Sequence, residues 1–214
     1  MRRIFLVPFL VAALSGFSST WNHQGNLENQ FYYYQGKKVV LQKTNITAIL
    51  VEEGFDQRMI FDYAIPQESN QYTVKWILEQ RIFLVTHNQP MNDYKLLMLR
   101  RSFEANYGVM VAAPVFAVGN EKLIVFDEII VRFKKDKSNS DLGKLKDGSG
   151  NPVFAWPARK GPIPETWIYK VLYYPKFNPM YKVSRLTVLE TANLYFESGL
   201  VEYAHPNFIR IQMR

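Results

Sequence analysis

Few residues of this 214-residue chain have both the type and the spacing to do chemistry. The three histidines, His23, His87 and His205, are far apart, which argues against a histidine-rich metal site. There is no cysteine, so disulfides, thiolate metal ligation and thiol catalysis are all excluded. The adjacent acids Glu52-Glu53 and Asp127-Glu128 have the right groups for general acid/base work. Both pairs sit at the ends of strand-like runs, where neighbouring side chains point to opposite faces, so they read as solvated strand ends. No G-x-S-x-G, P-loop, H-E-x-x-H or G-x-G-x-x-G string occurs. The expectation is a protein with no catalytic residues, no metal and no cofactor, one that binds rather than reacts.

Composition fits that expectation. Hydrophobic residues make up 48% of the chain and aromatics 15%, enough for a globular core. The net charge is +7, but Lys and Arg are scattered rather than clustered. That pattern permits an acidic partner or a negatively charged envelope surface but suits a generally basic secreted protein better, and no nucleic-acid partner is expected. Tyr32-Tyr33-Tyr34 invites base or sugar stacking, yet no basic groove motif accompanies it, so sheet packing is the reading. Met1-Arg2-Arg3 and the apolar run Ile4–Leu14 have the form of a secretory signal ending near residue 19. The run is too short to be a stable membrane anchor. The chain is therefore expected outside the cell or in the periplasm.

The best-defined elements lie near the end. Val188, Leu189, Ala192, Tyr195 and Phe196 form one apolar stripe of a helix, with Ser184 as the expected N-cap and Gly199 as the left-handed residue beyond its end. Leu200–Ala204 reads as a strand stopped by Pro206. Upstream, Phe31–Tyr34 and Val39–Leu41 flank a glycine turn as a hairpin. Ile46–Val51, Ile82–Val85, Tyr94–Leu99, Val109–Phe116, Glu128–Phe133 and Trp167–Tyr173 read as strands. Glu68–Glu79 reads as a helix and Ser102–Asn106 as a vestigial one. Between 134 and 150 a helix looks eroded, and four prolines keep 152–164 extended or looped.

Two stretches carry the same words. Val109-x-Val111-Ala112-x-Pro114-x-Phe116 matches Val201-x-Tyr203-Ala204-x-Pro206-x-Phe208, each just after a glycine. A strand run lies upstream of each, at Ile46–Val51 and Glu128–Phe133. This predicts a divergent internal duplication, with residues 20–118 as one α+β unit and 119–214 as the second. Each unit has split β-α-β, ferredoxin-like order and a mostly antiparallel sheet. The second carries a Pro-rich insertion.

The string ANLYFESGLVEYAHPNF, residues 192–208, resembles the end of the N-terminal prodomain of secreted bacterial subtilisin-like serine proteases. The YYY-GKK-L opening, from Tyr32 to Leu41, resembles the start of the same prodomain group. The resemblance implies a ferredoxin-like sheet that packs on a protease and chaperones its folding. The protease's own Asp-Ser/Thr-Gly, His-Gly-Thr and Gly-Thr-Ser-x-Ala strings are absent. What is implied is a stand-alone inhibitor or folding chaperone of a subtilisin-like protease. The docking motif would be Val201, Glu202, Tyr203, His205, Pro206 and Phe208. The tail Ile209, Arg210, Ile211, Gln212, Met213 and Arg214 would lie substrate-like in the cleft. His205 departs from the family, which usually has an acid there. It reads as an exposed strand-end histidine, with pH-dependent docking as the functional alternative. A secreted structural or adhesive module and a truncated protease fragment are the other readings.

Overall fold

The computed structural model describes residues 30–56, 72–77, 81–105, 107–153, 155–171 and 187–211. The expected signal segment, Ser184, and Gln212, Met213 and Arg214 lie outside them. The described chain is mixed α+β with antiparallel sheets and few helices. β1 (Phe31–Tyr34) and β2 (Lys37–Val40) form the expected hairpin. β3 (Gln42–Val51), β4 (Tyr72–Ile77), β5 (Ile82–His87), α1 (Asp93–Glu104), β6 (Val109–Val118) and β7 (Glu121–Ile124) follow. Then come β8 (Glu128–Phe133), the single turn α2 (Asn139–Leu142), β9 (Ala155–Lys160), β10 (Thr166–Val171), α3 (Val188–Glu197), β11 (Val201–Pro206) and β12 (Ile209–Ile211).

Two expectations are corrected. The segment 68–79 contains strand β4, not a helix: Tyr72, Thr73, Val74, Trp76 and Ile77 are aromatic or β-branched and pair with β5 from Tyr72↔His87 to Ile77↔Ile82. Conversely, 94–99 is helix. Leu96, Leu97, Met98 and Leu99 are good helix formers without branched Cβ atoms. Leu96, Leu99 and Phe103 recur at helical spacing on the buried face, and the Asn92 side chain accepts the Lys95 amide at 2.8 Å as an N-cap. The expected helical turn at 102–106 is the end of this same helix. In the second half, α2 is one turn long, and β9 runs through Pro157 as an edge strand, where a missing amide is tolerated.

The strands fall into a two-stranded ribbon, a four-stranded sheet β11-β8-β10-β9, and a six-stranded sheet β12-β7-β6-β3-β5-β4. Within the larger sheet, β6-β3-β5-β4 repeats the order of the smaller one. The register repeats as well. Val51 pairs with Val109, then one residue bulges, then Leu50, Ile49, Ala48 and Thr47 pair with Val111, Ala112, Ala113 and Pro114. Phe133 pairs with Val201, then one residue bulges, then Arg132, Val131, Ile130 and Ile129 pair with Tyr203, Ala204, His205 and Pro206. The extra residues, Met110 and Glu202, are both exposed. In each case the regular ladder stops at the proline, which has no N–H to donate.

The helices α1 and α3 occupy equivalent places, each leading through a left-handed glycine into its strand. Gly108 has φ +80° and Gly199 has φ +72°. A Cβ on Gly108 would also lie 2.5 Å from the Phe55 ring. The N-cap of α3 is Thr187 rather than Ser184: its hydroxyl accepts the Glu190 amide at 3.2 Å while Glu190 accepts the Thr187 amide at 2.7 Å. Val188, Leu189, Ala192 and Tyr195 are buried as expected, but Phe196 is only half-buried and stacks on Tyr33, centroids 4.5 Å apart.

The sheets do not divide at residue 118. β7 and β12 both belong to the larger sheet, although they follow that boundary. In return, the N-terminal hairpin lies on α3. Asn193 Nδ2 donates to Phe31 O at 3.0 Å, Tyr33 donates to Glu197 at 2.9 Å, and Tyr32 meets the edge of Phe208 at 4.7 Å.

Candidate functional site: the open face of the four-stranded sheet

One face of the four-stranded sheet is core. Ile129, Val131, Tyr169, Val171, Val201 and Ala204 are buried there with α3, and Tyr169 meets Tyr195 edge-on at 6.3 Å. Burial pushes the Tyr169 phenol up to about 12, and Tyr195 is raised further by the same cause. Tyr169 donates to Asn139 at 3.0 Å, which ties α2 to the sheet.

Alternation sends the other residues to the opposite face. They are Glu128, Ile130 and Arg132 from β8, and Thr166, Ile168 and Lys170 from β10, paired across the two strands. Tyr203 and His205 join them from β11, and Trp156 and Arg159 from β9. Ile130 and Ile168 are nearly covered, while Trp156 is exposed. Ion pairs cross the face. Arg159 grips Glu128 with both guanidinium nitrogens, at 2.7 and 2.9 Å. Arg132 reaches Glu165 at 2.5 Å and Glu202 at 3.1 Å, and Lys170 reaches Asp127 at 3.1 Å.

Glu128 is the hub. Its carboxylate also accepts from Asn207 Nδ2 at 2.9 Å, and its main-chain carbonyl accepts the Asn207 amide at 2.9 Å. Burial alone would raise its pKa, but the Arg159 fork and the Asn207 amide outweigh it and hold the carboxyl below the usual range. The histidine is not exposed. His205 is half-buried and stacks on Tyr203, centroids 5.5 Å apart and planes 19° apart. Its Nδ1 lies 2.9 Å from Pro206 O. A carbonyl only accepts, so Nδ1 carries the proton. Burial lowers the His205 pKa, the Pro206 bond opposes that, and Arg210 adds to the lowering. Among the described residues, the buried Tyr203 hydroxyl has no hydrogen-bond partner.

The motif residues are thus split. Tyr203 and His205 are on the open face, with Glu202 at its margin in its ion pair to Arg132. Val201 and Pro206 are buried, and Phe208 packs on Tyr32. The tail is not a free extension. Ile209, Arg210 and Ile211 pair with Ile124, Leu123 and Lys122 of β7, Arg210 lies 3.3 Å from Glu121, and Ile211 is buried. Sequence reasoning passed over Ile130, Arg132, Trp156, Arg159 and Ile168, and it read Glu128 as a solvated strand end, whereas its carboxylate is largely covered and paired. The alternation Glu128-x-Ile130-x-Arg132 was a usable signal for the face. Arg159 had none, because its strand lies in a proline-rich stretch.

Among the described residues, no group of three or more His, Asp or Glu is placed to hold a metal, and no helix is long and apolar enough to cross a membrane. Compared with protein-family models, with curated proteins and with solved structures, the chain finds no match in any of the three.

Proposed function

We propose that this chain is a prodomain-like binder of a subtilisin-like serine protease, an inhibitor or folding chaperone rather than an enzyme, secreted after loss of residues 1–19. On this reading it is two tandem ferredoxin-like units produced by duplication. Support for that order comes from the repeated strand arrangement, pairing and bulge of β6-β3-β5-β4 and β11-β8-β10-β9. The observation that carries the functional reading is the open face of the four-stranded sheet. It presents exposed Trp156 on one edge strand and stacked Tyr203–His205 on the other, with charges already held in pairs between them. Aromatic anchors beside polar groups that are already paired are what a protein-docking surface needs. Charges already fixed in pairs lose little freedom when a partner covers them. The tail would reach a protease cleft only after leaving β7.

A second reading, a secreted structural or adhesive module that keeps only the fold, is favoured by that same paired tail. One titration separates them. The full chain is added to a subtilisin-like protease, and both inhibition of hydrolysis and recovery of the denatured protease are measured. Trp156→Ala with Tyr203→Ala should weaken either effect about tenfold or more without loss of fold by circular dichroism. If the wild-type chain neither inhibits nor assists, the binder reading is wrong and the module reading replaces it.

A further inference from the structure

The six-stranded sheet ends in a strand unlike its others. β12 is three residues long, comes from the far end of the chain, and reaches its place across a two-residue link from the other sheet. That link is firmly held. The Phe208 amide bonds Pro206 O at 3.0 Å as a tight three-residue turn, Asn207 is bound twice to Glu128, and Phe208 packs on Tyr32. Lifting Ile209–Ile211 therefore leaves the turn at Pro206–Phe208 and the Asn207–Glu128 bonds in place. It would leave the main-chain edge of Glu121–Ile124 unpaired beside two apolar seats and one acid.

We propose that the edge of β7 is a peptide-binding site of the strand-addition kind, occupied at rest by the chain's own β12. Its ligand class is an extended peptide with a basic residue between two branched apolar ones. The chain's own segment displays the three subsites. Ile209 sits opposite Ile124, against the cluster of Ile46, Val115 and Ile124. Arg210 points to the other face and meets Glu121, an exposed pair that gives sign selectivity more than affinity. Ile211 fills a buried seat in the same apolar cluster. Main-chain pairing supplies the rest, as in any added strand. Because the resident strand is tethered, it competes at high effective concentration, and an external peptide binds well only when β12 is loosened. This site lies on the other sheet from the open face, and its three subsites use no residue of that face.

The test uses the full chain and a fluorescent heptapeptide of sequence Phe-Ile-Arg-Ile-Gln-Met-Arg, followed by anisotropy. The wild-type chain should bind it weakly, and Ile211→Asp, which unseats β12, at least tenfold more tightly. Adding Glu121→Lys to that variant should weaken binding of this peptide, and a peptide with Glu in place of its first Arg should recover it. No tightening on Ile211→Asp, or tightening indifferent to residue 121, overturns the proposal. Hydrogen exchange on the wild-type chain covers the case in which the variant does not fold. The amides that bond β12 to β7 should exchange together and about a hundredfold faster than those that bond β11 to β8, while the β7 amides bonded to β6 stay protected. Exchange in step with β11 also overturns it.

Discussion

The two four-strand arrays have matching backbones and opposite second faces. Where β3 turns Ile46, Ala48 and Leu50 away from α1, β8 turns Glu128, Ile130 and Arg132 away from α3. Ile82 and Leu84 of β5 correspond to Thr166 and Ile168 of β10, and Val111 and Ala113 of β6 to Tyr203 and His205 of β11. The first set is an apolar cluster in which Ala48, Ile82, Leu84 and Ala113 are at most 1% exposed. The second is a layer of ion pairs over two isoleucines. Strand order, register and bulge are thus indifferent to what the second face carries. The helix-facing side sets the fold, and the other side is free to take on surface chemistry.

Lysine at corresponding positions should break the symmetry most visibly. Leu84→Lys puts a charge among Ile46, Ala48 and Val115 and should lower stability by about 3–5 kcal/mol in urea unfolding. Ile168→Lys can carry its ammonium outward along its stem toward the charged layer and should lose about 1–2 kcal/mol. Equal losses would mean the faces do not differ energetically. The helix-facing side should behave alike in both arrays. Phe103→Ala and Tyr195→Ala each remove a ring at most 1% exposed and should each lose about 3–5 kcal/mol. A twofold disparity would mean the helices are not equivalently seated. Phe196→Ala should lose only about 1–2 kcal/mol, because it gives up half-burial and one stacked partner. That loss should be non-additive with Tyr33→Ala.

Two smaller effects are read by pH. The depressed Glu128 pKa means its contribution is complete above the ordinary Glu value of about 4.3 and is lost as pH falls through its lower folded value. Glu128→Gln should therefore lose about 1–2 kcal/mol at neutral pH and differ little from wild type in strong acid. His205 is also depressed, so its fold prefers the neutral ring. That part of stability is whole above about 6.5 and fades as pH falls through its folded value. His205→Ala, the residue its counterpart Ala113 already is, should flatten the slope below that pH. A thermal melt series from pH 7 to 5 reads it.

Residues that declare themselves locally were legible in the sequence. Gln35-Gly36 between two β-prone runs gave the hairpin away, and Gly199 with the stripe from Val188 to Tyr195 gave away α3 and β11. The doubled V-x-(V/Y)-A-x-P-x-F also survives as a doubled register. The misreadings were of short apolar runs, where helix and strand look alike. Leu96–Leu99 and Tyr72–Ile77 were exchanged, and branching at Cβ would have told them apart. The open face was half legible, since β8 alternates plainly but β9 is masked by Pro157. The place of Ile209–Ile211 was not legible at all. Nothing in three residues says which of two sheets they join, because that depends on an edge formed some ninety residues earlier (from Glu121 to Arg210).

The exchange of ends between the sheets bears on the order in which the molecule can be finished. The hairpin at 31–40 is made early in synthesis. Its seats, from Asn193 to Phe208, are made much later, with sequence separations of 162 and 164 in the Phe31–Asn193 and Tyr33–Glu197 contacts. Contacts so distant along the chain form slowly. Until they close, Tyr32 and Tyr33 lack their seats on α3 and beside Phe208, so the hairpin settles only after that later segment has folded.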